Sequence, residues 1–189
     1  MNVYVYVYEG HAQFESIILN YVLNTQKHNV VTFSHTKQSA KSVEGIKIEV
    51  DKLIEEVNVH EVDALIIPGG YSYDVLGNEK LQQLLQAASA EGIIMGAICH
   101  GPVLFAEAGI LEGKNYTSNV GEDEVEYYNL FKGNNLKVDL VVHDHIITAT
   151  GNAYVEFAFA VIEKLGVVED STQKALYNFF KNVKQTQTA

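Results

Sequence analysis

Residues 3–8 read Val-Tyr-Val-Tyr-Val-Tyr, so an extended chain here is apolar on both faces, valines on one side and tyrosines on the other. A strand without a polar face belongs in the middle of a sheet that helices cover on both sides. The rest of the chain alternates strand-like and helix-like patches at short intervals, which predicts an α/β sandwich around a mostly parallel sheet. Phe14, Ile17, Ile18, Tyr21 and Val22 follow at helical spacing and predict an amphipathic helix. Residues 29–34, 63–67 and 93–98 read as further strands, and Leu81, Leu84, Leu85 and Ala88 as a helix closed by Gly92. Ile46, Ile48 and Val50 alternate with Lys47 and Glu49, the pattern of an edge strand or hairpin. Residues 136–142 and 146–149 predict a hairpin through His143-Asp144-His145. Two helices close the chain, one over residues 152–165. The other starts at Asp170 as N-cap and turns Leu176, Phe179, Phe180 and Val183 inward.

The 189 residues suit one domain spanning 1–189, and with 47% hydrophobic and 20% charged residues a core can be buried. The formal net charge of −11 repels phosphate backbones and anionic lipid, which argues against nucleic-acid and membrane-surface partners. No apolar run approaches the roughly 20 residues of a membrane span. The amino-terminal stretch lacks the basic start of a signal peptide. Cys99 is the single cysteine, so no internal disulfide can form, and the expectation is a soluble cytoplasmic protein. The acidic run 122–126 reads as a solvated face, and residues 185–189 as a fraying tail.

In an open α/β sheet, ligands bind where parallel strands end and helices begin. The residues following the buried strands are Glu9, Gly10 and His11, then Pro68, Gly69 and Gly70, then Cys99 and His100, then Gly151 and Asn152. Ala97-Ile98-Cys99-His100-Gly101 has the small-x-nucleophile-x-Gly form of a nucleophile elbow. A cysteine there meets a helix amino terminus, which predicts a lowered thiol pKa; the competing reading is a small buried hydrophobe. Glu15 in the first helical turn either compensates the helix dipole at the surface or shares a dry pocket with Cys99 and manages its proton. The N–H groups of Gly69, Gly70 and His100 are candidates for an oxyanion site, although two glycines also make an ordinary tight turn. His100 is a candidate general base or a contact to a neighbouring subunit. His143-Asp144-His145 supplies too few ligands for a metal and reads as a turn; no metal or cofactor is expected.

The run Ala97-Ile98-Cys99-His100-Gly101-Pro102, with Gly10-x-x-x-x-Glu15, Ile67-Pro68-Gly69-Gly70 and the segment 151–158, resembles the ThiJ/PfpI superfamily from about Val3 to Leu165. The resemblance implies a flavodoxin-like three-layer sandwich that forms dimers or higher homo-oligomers. It also implies a reactive Cys99 hydrogen-bonded by Glu15, with glyoxalase, deglycase, peptidase or amidase activity, or peroxide sensing. Glutamine amidotransferases share the fold but carry a late His-x-Glu pair, absent after Ile146, which disfavours glutamine hydrolysis. Two positions depart from the superfamily pattern. Asn119 stands where one branch has a histidine. Asp74 is the shorter counterpart of an acid that, in another branch, reaches the histidine after the cysteine from a neighbouring subunit; it also suits a plain helix N-cap. The expected function is a cysteine-dependent enzyme acting on a small carbonyl or amide compound. Its site would be Cys99, Glu15, His100 and Asp74; the alternative is a redox sensor or stress-response protein using the same cysteine.

Overall fold

The computed structural model describes residues 1–36 and 38–182. In chain order the first half contains β1 (Asn2–Tyr6), α1 (Phe14–Thr25), β2 (Asn29–Ser34), β3 (Ser39–Lys41), β4 (Lys47–Glu49), β5 (Lys52–Leu53), β6 (Ala64–Ile67) and α2 (Glu79–Ala90). The second half contains β7 (Ile94–Ile98), α3 (Pro102–Glu107), β8 (Asn115–Tyr116), α4 (Val125–Tyr128), β9 (Asn134–Asn135), β10 (Leu140–His143), β11 (Ile146–Ala149), α5 (Tyr154–Leu165) and α6 (Asp170–Phe180). Seven of these strands form one sheet in the order β10-β11-β7-β6-β1-β2-β5, parallel except for β10.

The two-faced pattern of β1 divides the core. Val3, Val5 and Val7 pack with Leu19, Val22 and Leu23 of α1 and Phe157, Val161 and Ile162 of α5. Tyr4, Tyr6 and Tyr8 face the other layer, with Leu81 and Leu85 of α2 and Val103 and Phe105 of α3. Each tyrosine buries a large ring, and Tyr8 satisfies its hydroxyl by donating to the carbonyls of Pro68 and Gly69 at 2.9 and 2.6 Å. The sheet thus carries helices on both faces, as its strand sequences require. Among the described residues, no helix is long and apolar enough to cross a membrane.

Two helices sit differently from their apolar spacing. In α1 the buried face is Glu15, Ser16, Ile18, Leu19, Val22 and Leu23, while Phe14, Ile17 and Tyr21 are exposed. The helix carries two overlapping apolar stripes, and the one that brings Glu15 inward is chosen. In α6 the N-cap is Glu169 rather than Asp170, no residue is fully buried, and Phe179 is 75% exposed. Leu176 and Phe180 are only partly covered, and Val183 and residues 185–189 lie outside the described residues. The β10–β11 pair is the hairpin expected from sequence, and of the edge strand or hairpin read around residues 46–50 the structure forms the β3–β4 hairpin.

The carboxyl ends of parallel β1, β6, β7 and β11 meet at one rim. The loops leaving them hold the residues of the site.

Candidate active site

Cys99 ends β7 in a left-handed conformation, with φ of 61°, a region disfavoured for any residue with a Cβ. The elbow is held open by its neighbours. Cys99 N–H donates to Ala149 O at 2.9 Å, and its carbonyl accepts from Asn119 N–H at 2.9 Å and from the Ser118 hydroxyl at 3.1 Å. The small flanking residues are sterically required. A Cβ on Gly101 would lie 2.6 Å from the Ile67 carbonyl oxygen, and one on Gly69 would lie 2.6 Å from Cys99 Cβ.

Glu15 enters the same pocket from the first turn of α1 and is only 2% exposed, so it is not a surface carboxylate. Its Oε2 accepts from Gly69 N–H at 2.6 Å. Its side chain also hydrogen-bonds Cys99. The closeness of the pair is visible at Gly151, where an added Cβ would stand 3.1 Å from Cys99 Sγ and 3.2 Å from Glu15 Oε1. Because Gly69 N–H is engaged by Glu15, Gly69 is a holder of the carboxylate rather than an oxyanion donor. The backbone N–H groups of Gly70 and His100 both point at the sulfur. Gly70 reaches that position with φ of 95°, a conformation that favours glycine.

Burial raises Glu15 to about 7, against smaller lowering effects from Gly69 N–H and Cys99. Burial, followed by the Glu15 charge, pushes the Cys99 thiol up to about 12, although the Gly70 and His100 N–H groups pull the other way. This corrects the lowered thiol expected at a helix amino terminus. The helix α3 starts three residues after Cys99 and has six residues, too little dipole to offset a dry pocket. Two acids this close in a dry pocket cannot comfortably both ionise, so the pair holds one proton between them near neutral pH.

The cleft over this pair has a volume of about 690 Å³ and is walled by Phe14, Tyr71, Tyr73, Asn119 and Asn152. Among the described residues no lysine lines it, and the sequence has no arginine. Asn119 ties the elbow to the loop after β11 by accepting from Gly151 N–H at 2.6 Å. Glu9 and His11 turn elsewhere: Glu9 accepts from Lys41 N–H, and His11 is buried with a ring nitrogen 2.6 Å from Tyr8 O.

His100 lines the cleft, but within the chain the carboxylate it meets is Glu124, with Nε2 to Oε2 at 3.8 Å. Asp74 lies exposed in the short 3₁₀ turn Ser72–Val75, outside the cleft lining, so the two are not brought together within one chain. It is not the N-cap of that turn, which is Tyr71. Glu124 belongs to the acidic run read as a solvated face; instead Tyr73 OH donates to its Oε1 at 2.6 Å and Gly121 N–H to its Oε2 at 2.8 Å. Nothing local in that run distinguishes Glu124 from its exposed neighbours, so only the fold reveals it. His143-Asp144-His145 forms the β10–β11 turn, with Asp144 at φ of 55°. Among the described residues, no group of three or more His, Cys, Asp or Glu could hold a metal ion.

Residues 1–164 match the family model described as the DJ-1/PfpI family. Deglycase PfpI of Pyrococcus furiosus is 35% identical over 113 residues, covering 58% of this chain and 68% of that protein. The uncharacterized protease YoaZ of Bacillus subtilis is 27% identical over 196 residues, covering 96% of this chain and 91% of that one. The solved structure of a thiJ/pfpI family protein from Bacillus anthracis superposes with a TM-score of 0.88 at 25% identity, covering 97% of this chain and 92% of that chain. The family model covers most of the chain and the whole fold superposes on a solved member, so the chain belongs to the DJ-1/PfpI family.

Proposed function

We propose that this protein is a cysteine-dependent enzyme acting on a small, uncharged carbonyl or amide compound. The observation that carries the reading is the buried Cys99–Glu15 pair beneath an accessible cleft, with two backbone N–H groups aimed at the sulfur. As the substrate carbonyl approaches, the S–H proton passes to the Glu15 carboxylate and the sulfur lone pair forms the C–S bond. The carbonyl π-electrons move to oxygen, and the Gly70 and His100 N–H groups stabilise the resulting oxyanion. The proton taken up by Glu15 then passes to this oxygen, giving a hemithioacetal from an aldehyde, or to the nitrogen of an amide, whose amine leaves as the C–N bond breaks and the acyl-enzyme forms. His100, which lines the cleft, is the relay for that transfer. A carboxylate near 7 is well matched to this proton transfer at neutral pH. The names of the two relatives, one a deglycase and one a protease, are consistent with either outcome.

The aromatic wall and absence of a cationic lining residue favour a neutral substrate over a carboxylate or phosphate. Association with a second copy of the chain is part of the same proposal, supported by the exposed stripe Phe14, Ile17 and Tyr21 beside the cleft. A redox sensor would draw on the same sulfur, and would show oxidation of Cys99 by mild peroxide without turnover of any carbonyl or amide compound. The test is turnover of a panel of neutral α-oxoaldehydes, starting with methylglyoxal, and of small amides. The expected result is activity that Cys99→Ser lowers by at least about 10³-fold; activity retained in Cys99→Ser would overturn the mechanism.

A further inference from the structure

His100 is a second proton-handling group in the cleft, and an imidazole serves as acid or base only when something fixes its ring and its proton. In this chain that task falls to a constellation from three separate segments. Tyr73, in the turn after β6, lies against His100 with ring centroids 5.3 Å apart. The same ring is stacked face to face on Tyr127 of α4, at 3.6 Å with planes 2° apart, so it cannot swing away without losing that stack. The Tyr73 hydroxyl and the Gly121 N–H each donate to Glu124, one to either oxygen, and Oε2 faces His100 Nε2 at 3.8 Å. That separation is an ion-pair contact, longer than a hydrogen bond.

The geometry points to Glu124 as the positioning residue that fixes the His100 imidazole, with Tyr73 and Tyr127 bracing it, so that the acid–base group of the cleft is completed within one chain. His100 and Glu124 are both about 30% exposed, so the carboxylate acts at the edge of the cleft and not in its dry floor. Burial alone would raise Glu124, but the Tyr73 hydroxyl, the Gly121 N–H and His100 together hold it below the usual carboxylate range. It therefore carries its charge throughout the neutral range in which the Glu15–Cys99 pair exchanges its proton. With Nε2–H directed at Glu124, Nδ1 remains the nitrogen available to the reacting oxygen or leaving group.

The role in turnover rests on the proposed enzymatic reading; the His100–Glu124 contact does not, and the experiment separates them. Nitrogen-15 NMR of the histidine-labelled full chain should show a His100 Nε2–H proton that is shifted downfield and slow to exchange with water. That resonance should disappear in Glu124→Gln and in Glu124→Ala, and persist in Asp74→Asn. With a substrate from the aldehyde and amide panel, Glu124→Gln should lower kcat about 10- to 100-fold with KM within about twofold, and should leave the rate of Cys99 alkylation by iodoacetamide unchanged. A resonance missing from the parent protein, or unaffected by both Glu124 variants, overturns the inference, as does its loss in Asp74→Asn. An unchanged kcat in Glu124→Gln also overturns it. If the panel yields no turnover at all, the proposed function fails while the NMR result still decides the contact.

Discussion

Glu15→Gln is expected to inactivate the protein and, above neutral pH, to stabilise it. The amide keeps the shape of the carboxylate and can still accept from Gly69 N–H, but it cannot take the thiol proton. Loss of a positioned base typically costs about 10²–10⁴ in rate. The stability change has the opposite sign. Glu15 stands at about 7 in the folded protein against 4.5 for an ordinary glutamate, so the folded state binds its proton more tightly than the unfolded one. Stability from this group is complete below pH 4.5 and is lost as pH rises through 7. A shift of that size corresponds to about 3 kcal/mol, or roughly 6–12 °C in Tm for a chain of this length. Thermal unfolding from pH 4 to 8 should therefore show the variant matching the parent in acid, with a gap opening between pH 4.5 and 7 and constant beyond. Parallel curves would show that Glu15 is not held above its normal range. The protein tolerates a destabilising buried carboxylate because the chemistry needs it.

Gly101→Ala should disrupt the elbow through sterics alone. Its backbone is ordinary, with φ of −51°, so no conformational freedom is at stake. The added Cβ would lie 2.6, 2.9 and 3.1 Å from the carbonyl oxygens of Ile67, Ile98 and Pro68, all fixed parts of β6, β7 and the loop after β6. Backbone oxygens in a sheet cannot yield as a flexible side chain can. The expected cost is at the upper end of about 1–3 kcal/mol, read as a lowered denaturant midpoint. Catalytic activity should fall as well, because Ile98 O also accepts the Gly101 N–H that closes the turn beside Cys99. A midpoint equal to that of the parent would mean that the elbow can relax without strain.

The architecture was legible in the sequence where one local pattern has one solution. Six alternating apolar residues can only be a covered central strand, and the valine and tyrosine faces of β1 indeed head the two halves of the core. AICHGP at the end of a buried strand led directly to Cys99. Where two patterns overlap, spacing did not decide: α1 has two apolar stripes, and the burial of Glu15 with Leu19 and Leu23 fixes its rotation. The two-residue strand β5 leaves no periodicity to read. The protonation of Cys99 depends on how dry its pocket is, a property of everything packed around it and not of the helix start that follows. Glu124 is a charge among charges in sequence, 24 positions from His100, and acquires its place only when α4 stacks Tyr127 on Tyr73.

The account depends on Cys99 and Glu15 sharing a single proton, and the pH dependence of Cys99 alkylation by iodoacetamide measures this directly. Below pH 7 both groups are protonated and the sulfur should be inert. As the pair loses its first proton near pH 7, the form with the proton on Glu15 and the charge on sulfur should become accessible, and the rate should climb to a plateau. A second rise should come only toward pH 12, when the sulfur ionises beside a charged carboxylate. In Glu15→Gln the step near pH 7 should vanish, leaving a single alkaline rise. One inflection in the parent, at the same pH with and without the Glu15 carboxylate, would contradict the shared proton and the mechanism built on it.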